Sequence, residues 1–116
     1  MKSPVTTHVL DTANGHPAKG ITVVLDYRDA EGGWVEIARD QTNDDGRITD
    51  WIPSGKKMKK GVYRVTFEAG FYFDASGVKP AFYPIIPVVF FLEHPDEHYH
   101  IPLLLSPYGY STYRGS

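Results

Sequence analysis

Apolar residues cluster in four short segments of the chain, separated by polar turns. The segments are rich in β-branched and aromatic residues, which pack well on a pleated surface and therefore favour strands. Clusters of glycine, proline or aspartate lie between them, and this spacing of turn signals is typical of an antiparallel sandwich or barrel. The four predicted strands are "ITVVLDYR" (21–28), "WVEIARDQT" (34–42), "VYRVTFEA" (62–69) and "IPVVFFLE" (86–93).

Two further segments have a predicted conformation. "GFYFDASG" (70–77) is the one stretch that we expect to hold a helical turn or two. In "NDDGR" (43–47), Asp-Gly stands between two runs, which is a favoured sequence for a hairpin turn. We therefore expect a hairpin here, with Arg47 at the start of the strand that follows.

The composition is that of one ordinary globular domain covering residues 1–116. A chain of 116 residues can bury about two thirds of its unfolded surface in a single core. Its net charge of -2 argues against a nucleic-acid partner, which would require a basic face. The one basic run, "KKMKK" (56–60), directly precedes a predicted strand, so we interpret it as a solvated turn.

Several classes of site and location are disfavoured by what the sequence lacks. There is no cysteine, which excludes disulfides, thiol nucleophiles and cysteine-based zinc sites. The longest apolar stretch, "AFYPIIPVVFFL", is interrupted by Pro84 and Pro87 and is shorter than the roughly 20 residues that span a bilayer. The N-terminal segment has no apolar core of signal-peptide length. We expect a soluble protein without a membrane partner.

Histidines are the residues with the clearest chemical potential. On a strand, residues two apart point to the same face at a spacing of about 6.6 Å. His98 and His100 are therefore predicted to share one face, and His8 to share a face with Thr6 and Leu10. The other two histidines, in polar turns, are predicted to face solvent; they are His16 and His94.

A metal site is one interpretation of "EHPDEHYH" (93–100), which concentrates three histidines and three acids. His94, His98 and His100 are plausible ligands, since a His-x-His pair on a strand can bind zinc or iron. However, His94 is followed by Pro95 and an acidic turn, as in a solvated loop, and no strong fourth ligand is evident. We predict that no metal is bound.

Hydrolysis without a metal is the second interpretation. No G-x-S-x-G elbow is present to support a serine nucleophile. A simpler site needs a neutral histidine that takes a proton from water and a cation that stabilises the developing oxyanion. Histidine and arginine suit these two roles. The composition supplies both residue types but does not show that they meet.

Four motifs, in this order, resemble the 5-hydroxyisourate hydrolases, the transthyretin-like enzymes of purine breakdown. The similarity covers nearly the whole chain, and the combination is far more specific than any one motif. The motifs are "THVLDTANGHPA" (7–18), "TNDDGR" (42–47), "HYHIPLLLSPYGYST" (98–112) and "YRGS" (113–116).

The resemblance implies a fold, an assembly and a reaction. The fold would be a two-sheet antiparallel β-sandwich of about eight strands with one short helix. The assembly would be a homotetramer of two dimers, with the sites in a channel between the dimers. The reaction would be hydrolysis of a cyclic amide in 5-hydroxyisourate, giving 2-oxo-4-hydroxy-4-carboxy-5-ureidoimidazoline, without a cofactor.

The resemblance also assigns roles to individual residues. His8, Arg47 and His100 match the catalytic positions of the family, and Tyr113 opens the terminal tetrapeptide that would turn into the channel and bind substrate together with His8 and Arg47. Which histidine is the general base stays open. Supporting roles are expected for four further residues, which are His98, Ser111, Arg114 and Ser116.

Transthyretin itself, a small-molecule carrier, is the alternative within the same fold. It shares the "VLD" and "LLSPY-YST" segments but has lysine, glutamate and threonine at the three equivalent channel positions. His8, Arg47 and His100 therefore favour the enzyme. The terminal "RGS" is not a peroxisomal "SKL" signal, so we expect the cytoplasm, with the peroxisome as the alternative for a eukaryotic protein.

Overall fold

The computed structural model of the chain describes residues 3–53 and 55–116. These residues form nine strands and one helix, and two of the strands, β2 and β5, contain only two residues each. The elements are β1 (Val5–Asp11), β2 (His16–Pro17), β3 (Thr22–Arg28), β4 (Trp34–Gln41), β5 (Arg47–Ile48), β6 (Gly61–Glu68), α1 (Ala69–Ala75), β7 (Ile86–Leu92), β8 (Tyr99–Ser106) and β9 (Gly109–Thr112).

The strands form two sheets. One has the order β4-β3-β6-β7, and the other has the order β2-β1-β8-β9 with β5 paired to β1. The predicted all-β class, the two sheets and the short helix are confirmed. One pair departs from the predicted antiparallel arrangement, because β1 and β8 run parallel, with Thr6 opposite His100.

Alternation along the strands builds the core between the two sheets. On β8, Ile101, Leu103 and Leu105 are buried, whereas His100 and Leu104 are half-exposed. Such a period of two is expected where one face of a strand packs inward and the other faces outward. The outer face of the sheet that contains β1 and β8 therefore carries His8 and His100.

The predicted hairpin at 43–47 is wrong, although the turn itself and the start of a strand at Arg47 are present. β5 pairs with β1 and not with β4. Gly46 has a φ of 72°, and a β-carbon at this position would lie 2.5 Å from the carbonyl oxygen of Val9. The amide of Val9 also donates to the carbonyl of Gly46, and Ile48 is buried. These contacts direct the chain from one sheet to the other after the turn.

The helix α1 is attached to β1 by a buried polar contact. The hydroxyl of Tyr72 donates to Oδ2 of Asp11 at 2.6 Å. Burial raises the pKa of Asp11, but the hydrogen bonds from Tyr72, Asn14 and Ala13 outweigh it, so the net pKa is lowered. Burial, and then the same bond to Asp11, raise the pKa of Tyr72. In the described ranges, no helix has the length and apolar character needed to cross a membrane.

Candidate active site

The strand register places the predicted site residues in two adjacent rows on one sheet face. In the first row, Arg47 on β5 is opposite His8 on β1, and His8 is opposite Pro102 on β8. In the second row, Thr6 is opposite His100. Residues two apart on a strand are separated by about 6.6 Å. The structure therefore brings His8, Arg47 and His100 together, as the sequence motifs implied.

The turn before β5 sets the position of Arg47. Oδ1 of Asn43 accepts hydrogen bonds from the backbone amides of Asp45 at 2.9 Å and Arg47 at 3.0 Å. An asparagine side chain that bonds its own backbone in this way stabilises a tight turn. The Arg47 guanidinium is thereby presented at the exposed edge of the sheet, beside His8.

His8 is held in its neutral form by its surroundings. Burial, and next the positive charge of Arg47, lower the pKa of His8 from 6.5, while the backbone hydrogen bond and the charge of Asp45 oppose this shift. Both dominant causes disfavour an imidazolium, as expected for a half-buried histidine beside a cation. A neutral imidazole near pH 7 has the lone pair that a general base requires.

Thr6 joins the two histidines of the "HYH" sequence. Its Oγ1 lies 2.8 Å from Nδ1 of His100 and 3.0 Å from Nε2 of His98. The two rings are nearly parallel, with their centroids 6.4 Å apart. The predicted shared face of His98 and His100 is confirmed. Thr6 itself is only 2% exposed, whereas His98 is exposed and His100 is half-exposed, so the two hydrogen bonds are partly buried.

The terminal segment is attached to β8 beside His100. The amide of Gly115 donates to the carbonyl of His100 at 2.8 Å. A β-carbon at Gly115 would lie 2.6 Å from Cδ2 of His100, so only glycine allows the backbone to approach the imidazole this closely. Nearby, Cζ of Arg114 lies 4.3 Å from the centroid of the Tyr99 ring. Nη2 of Arg114 lies 3.2 Å from Oε1 of Glu97.

The remaining predicted residues of the terminal segment are exposed. Leu103 is opposite Thr112, and His100 is opposite Gly115. The same register places Tyr113 opposite Pro102. Tyr113 therefore lies in the row of His8 and Arg47. The Tyr113 side chain is 57% exposed. Ser111, opposite Leu104, and Ser116 are exposed as well.

The structure gives little support to a metal site. Among residues 3–53 and 55–116, no group of three or more His, Asp or Glu side chains has an arrangement that could hold a metal ion. His94, the third metal ligand considered from the sequence, is exposed in the turn after β7, and its Nε2 lies 3.6 Å from Oε1 of Glu93.

A cavity of about 510 Å³ lies at the other end of the terminal segment, between the edge strands β7 and β9. Tyr113 and Arg114 line it together with residues of β7, but His8, Arg47, His98 and His100 do not. We assign the chemistry to the face that carries the histidines, because Tyr113 is the one residue of the two rows that lines the cavity.

Two residues of the site were missed from the sequence. Thr6 was placed on the face of His8, but its contact with both His98 and His100 depends on the parallel pairing of β1 with β8. Gly115 was part of a recognised motif without a role of its own. No local pattern distinguishes either residue, since each acquires its importance from a strand distant in sequence.

Known proteins are similar to this chain in sequence and in fold. The model of the HIUase/Transthyretin family matches residues 5–115. The 5-hydroxyisourate hydrolase of Halalkalibacterium halodurans is 49% identical over 120 residues, covering 100% of both chains. Among solved structures, 5-hydroxyisourate hydrolase from Klebsiella pneumoniae is 33% identical with a TM-score of 0.81, covering 97% of each chain. Sea bream transthyretin in complex with thyroxine is 34% identical with a TM-score of 0.88, covering 97% of this chain and 95% of that one. The chain belongs to the HIUase/Transthyretin family.

Proposed function

We propose that the protein hydrolyses a cyclic amide bond of 5-hydroxyisourate. The observation that carries this proposal is the position of His8, Arg47 and His100 in two adjacent rows on one face of a sheet. Metal-free hydrolysis of an amide needs a general base and a group that stabilises the oxyanion, and this face supplies two potential bases and a cation. The names of the hydrolases from Halalkalibacterium halodurans and Klebsiella pneumoniae support the choice of substrate.

In the proposed mechanism, a histidine takes a proton from water as the water oxygen attacks the ring carbonyl, and the imidazolium then gives this proton to the ring nitrogen as the C–N bond breaks. His8 is suited to remain neutral, because burial and Arg47 lower its pKa. The imidazole of His100 has a fixed orientation, because Thr6 contacts its ring and Gly115 is bonded to its backbone. We assign proton removal to His100 and orientation of the water or substrate to His8.

Arg47 stabilises the negative charge that develops on the carbonyl oxygen. Its planar guanidinium presents several N–H donors in a fixed arrangement. The positive charge also keeps His8 neutral, so one side chain serves both the oxyanion and the histidine. Tyr113, in the same row, contacts the substrate ring from the side of the terminal segment.

We further propose that the active unit is a homotetramer of two dimers. The site is open on the outer face of one sheet, where Arg47 is exposed and His8 and His100 are half-exposed. A second sheet packed over this face would turn the open surface into a channel and exclude bulk water. Electrostatic stabilisation of an oxyanion is stronger in such a site than in open solvent.

A carrier function is the second candidate, favoured by the TM-score of 0.88 to sea bream transthyretin with thyroxine. The two functions require different side chains in the channel. A carrier needs only to bind its ligand, whereas the two rows here present imidazoles and a guanidinium, which can remove a proton and stabilise an oxyanion. Thyroxine binding without hydrolysis would favour the carrier.

The test is to generate 5-hydroxyisourate in situ from urate with urate oxidase and add the protein. Its ultraviolet decay and the circular dichroism of the product are followed together, because the compound also decays without a catalyst. We expect decay well above background, an optically active product, and a loss of about 10²- to 10⁴-fold in His100→Ala. The exposed His16→Gln is the matched control. Decay at the background rate in the folded wild-type protein would contradict the proposed function.

A further inference from the structure

The contact of Thr6 with two imidazoles restricts where protons can lie in the site. In the part of the chain that the structure describes, Nδ1 of His100 and Nε2 of His98 are the hydrogen-bond partners of the Thr6 hydroxyl. A hydroxyl has one proton to donate, while its oxygen can accept others. When Thr6 donates to one histidine, it therefore accepts from the other.

Both histidines could donate to the two lone pairs of the hydroxyl only if its own proton had another acceptor, and among the described residues Oγ1 of Thr6 contacts the two histidines alone. Two arrangements of neutral histidines therefore remain. In the first, Nδ1–H of His100 donates to Thr6, and Thr6 donates to Nε2 of His98. The lone pair of His100 is then on Nε2. In the second, Nε2–H of His98 donates to Thr6, Thr6 donates to Nδ1 of His100, and Nε2 of His100 carries the proton. Only the first arrangement allows His100 to accept a proton from water through Nε2.

We propose that Thr6 is a positioning residue for hydrolysis, which together with His98 holds His100 in the tautomer with its lone pair on Nε2. The inference rests on the proposed function, in which His100 is the base. In many catalytic sites, the general base is oriented by a third group. In a histidine, that group bonds the ring nitrogen that does not take up the proton. Here the orienting group is a hydroxyl, and His98 determines which way that hydroxyl points.

The burial of Thr6 makes the arrangement specific. With 2% of its surface exposed, Thr6 is poorly accessible to the water that would otherwise exchange with its hydrogen bonds. A buried polar group that loses its hydrogen-bond partner is destabilised, which favours keeping both contacts of the hydroxyl. The opposite edge of the His100 ring is close to Gly115, which limits rotation of the imidazole away from Thr6.

The test compares three variants of neighbouring threonines. Thr6→Val removes the hydroxyl at nearly constant shape, and Thr6→Ser retains it. Thr7→Val is the matched control, because the Thr7 hydroxyl is also buried but donates to the carbonyl of Ile101, on the opposite face of β1. The readouts are kcat, KM, urea unfolding and the ¹⁵N NMR signals that distinguish Nδ1–H from Nε2–H in His100.

We expect the wild-type protein to show Nδ1–H and an unprotonated Nε2 in His100. Thr6→Val should lose this preference and reduce kcat about tenfold or more, a part of the full contribution of a base, with little change in KM. Thr6→Ser should recover both the tautomer and most of kcat. Thr7→Val should lose stability while keeping the wild-type tautomer and the kcat of the folded protein.

The outcomes separate this inference from the proposed function. A wild-type protein that hydrolyses the substrate but has Nε2–H in His100, or a folded Thr6→Val variant with wild-type kcat, would overturn the role of Thr6 alone. If the wild-type protein shows no hydrolysis above background, the proposed function fails, whatever tautomer the NMR spectra show.

Discussion

Arg47 and His8 face each other across the β5–β1 pair, and the charge of the first lowers the pKa of the second. Replacing Arg47 with Gln should therefore raise the pKa of His8, because a cation that disfavours the imidazolium is removed. An NMR titration of His8 measures the change. Arg28→Gln, which removes a cation from the other sheet, should leave the titration of His8 unaltered. An unchanged pKa in Arg47→Gln would contradict the electrostatic coupling.

The same lowered pKa predicts how stability responds to acid. At a pH between the folded-state pKa of His8 and 6.5, the unfolded chain binds more protons at this histidine than the folded chain. Stability therefore rises with pH in this window and falls as the solution is acidified through it. Urea unfolding at several pH values should show a smaller acid-induced loss in His8→Gln than in the wild-type protein. Equal losses would mean that His8 does not contribute.

The close approach of Gly115 to His100 predicts a large effect of one methyl group. In Gly115→Ala, the new β-carbon would begin 2.6 Å from Cδ2 of His100, so the imidazole must move. A displacement of about 1 Å at a reacting group can cost about 10²-fold in rate. The measurement is kcat with 5-hydroxyisourate.

Gly109→Ala is the control for that substitution, in the hairpin that joins β8 to β9. Its β-carbon would have ordinary contact with Ser106 at 3.8 Å. We expect near wild-type turnover for Gly109→Ala. Equal kcat values in the two variants would show that the space beside His100 is not critical.

The buried bond between Tyr72 and Asp11 predicts a contribution to stability that is independent of catalysis. Tyr72→Phe removes a hydroxyl that donates at 2.6 Å to a carboxylate. Hydrogen bonds to charged groups contribute about 1.5–3 kcal/mol, and we expect a loss near the lower end because Asp11 keeps its bonds to Ala13 and Asn14. Urea denaturation measures it. Tyr108→Phe, at a residue 75% exposed, should change little.

The elements of the fold were predictable where their signals are local. The four predicted strands are observed with boundaries that differ by no more than one residue, and the helix, at Ala69–Ala75, begins within one residue of the predicted start. These segments combine strong propensities with clear turn residues on both sides. The pairing of β5 was not predictable in the same way, because the Asp-Gly turn fixes a reversal of the chain but not the strand that receives it.

The candidate site was likewise predictable only where its signals are local. Alternation predicts that His98 and His100 share a face, and this required only their spacing. The meeting of His8 with Arg47 and His100 was known from a resemblance and not from the pattern, since it depends on two strand pairings across the sheet. The contact of Thr6 with His100 joins residues 94 positions apart, and no local signal in "VTTHVLD" distinguishes Thr6 from Thr7.

The parallel pairing of β1 with β8 also has a consequence for synthesis on the ribosome. The first strand of the sheet emerges long before its partner, because His100 lies 94 positions after Thr6. At about 5–20 residues per second, translation of this interval takes roughly 5–20 s. Throughout that time β1 has an apolar face and an unpaired edge on the side of β8. The nascent chain is therefore exposed to chaperones and to aggregation for seconds before His8 and His100 can come together.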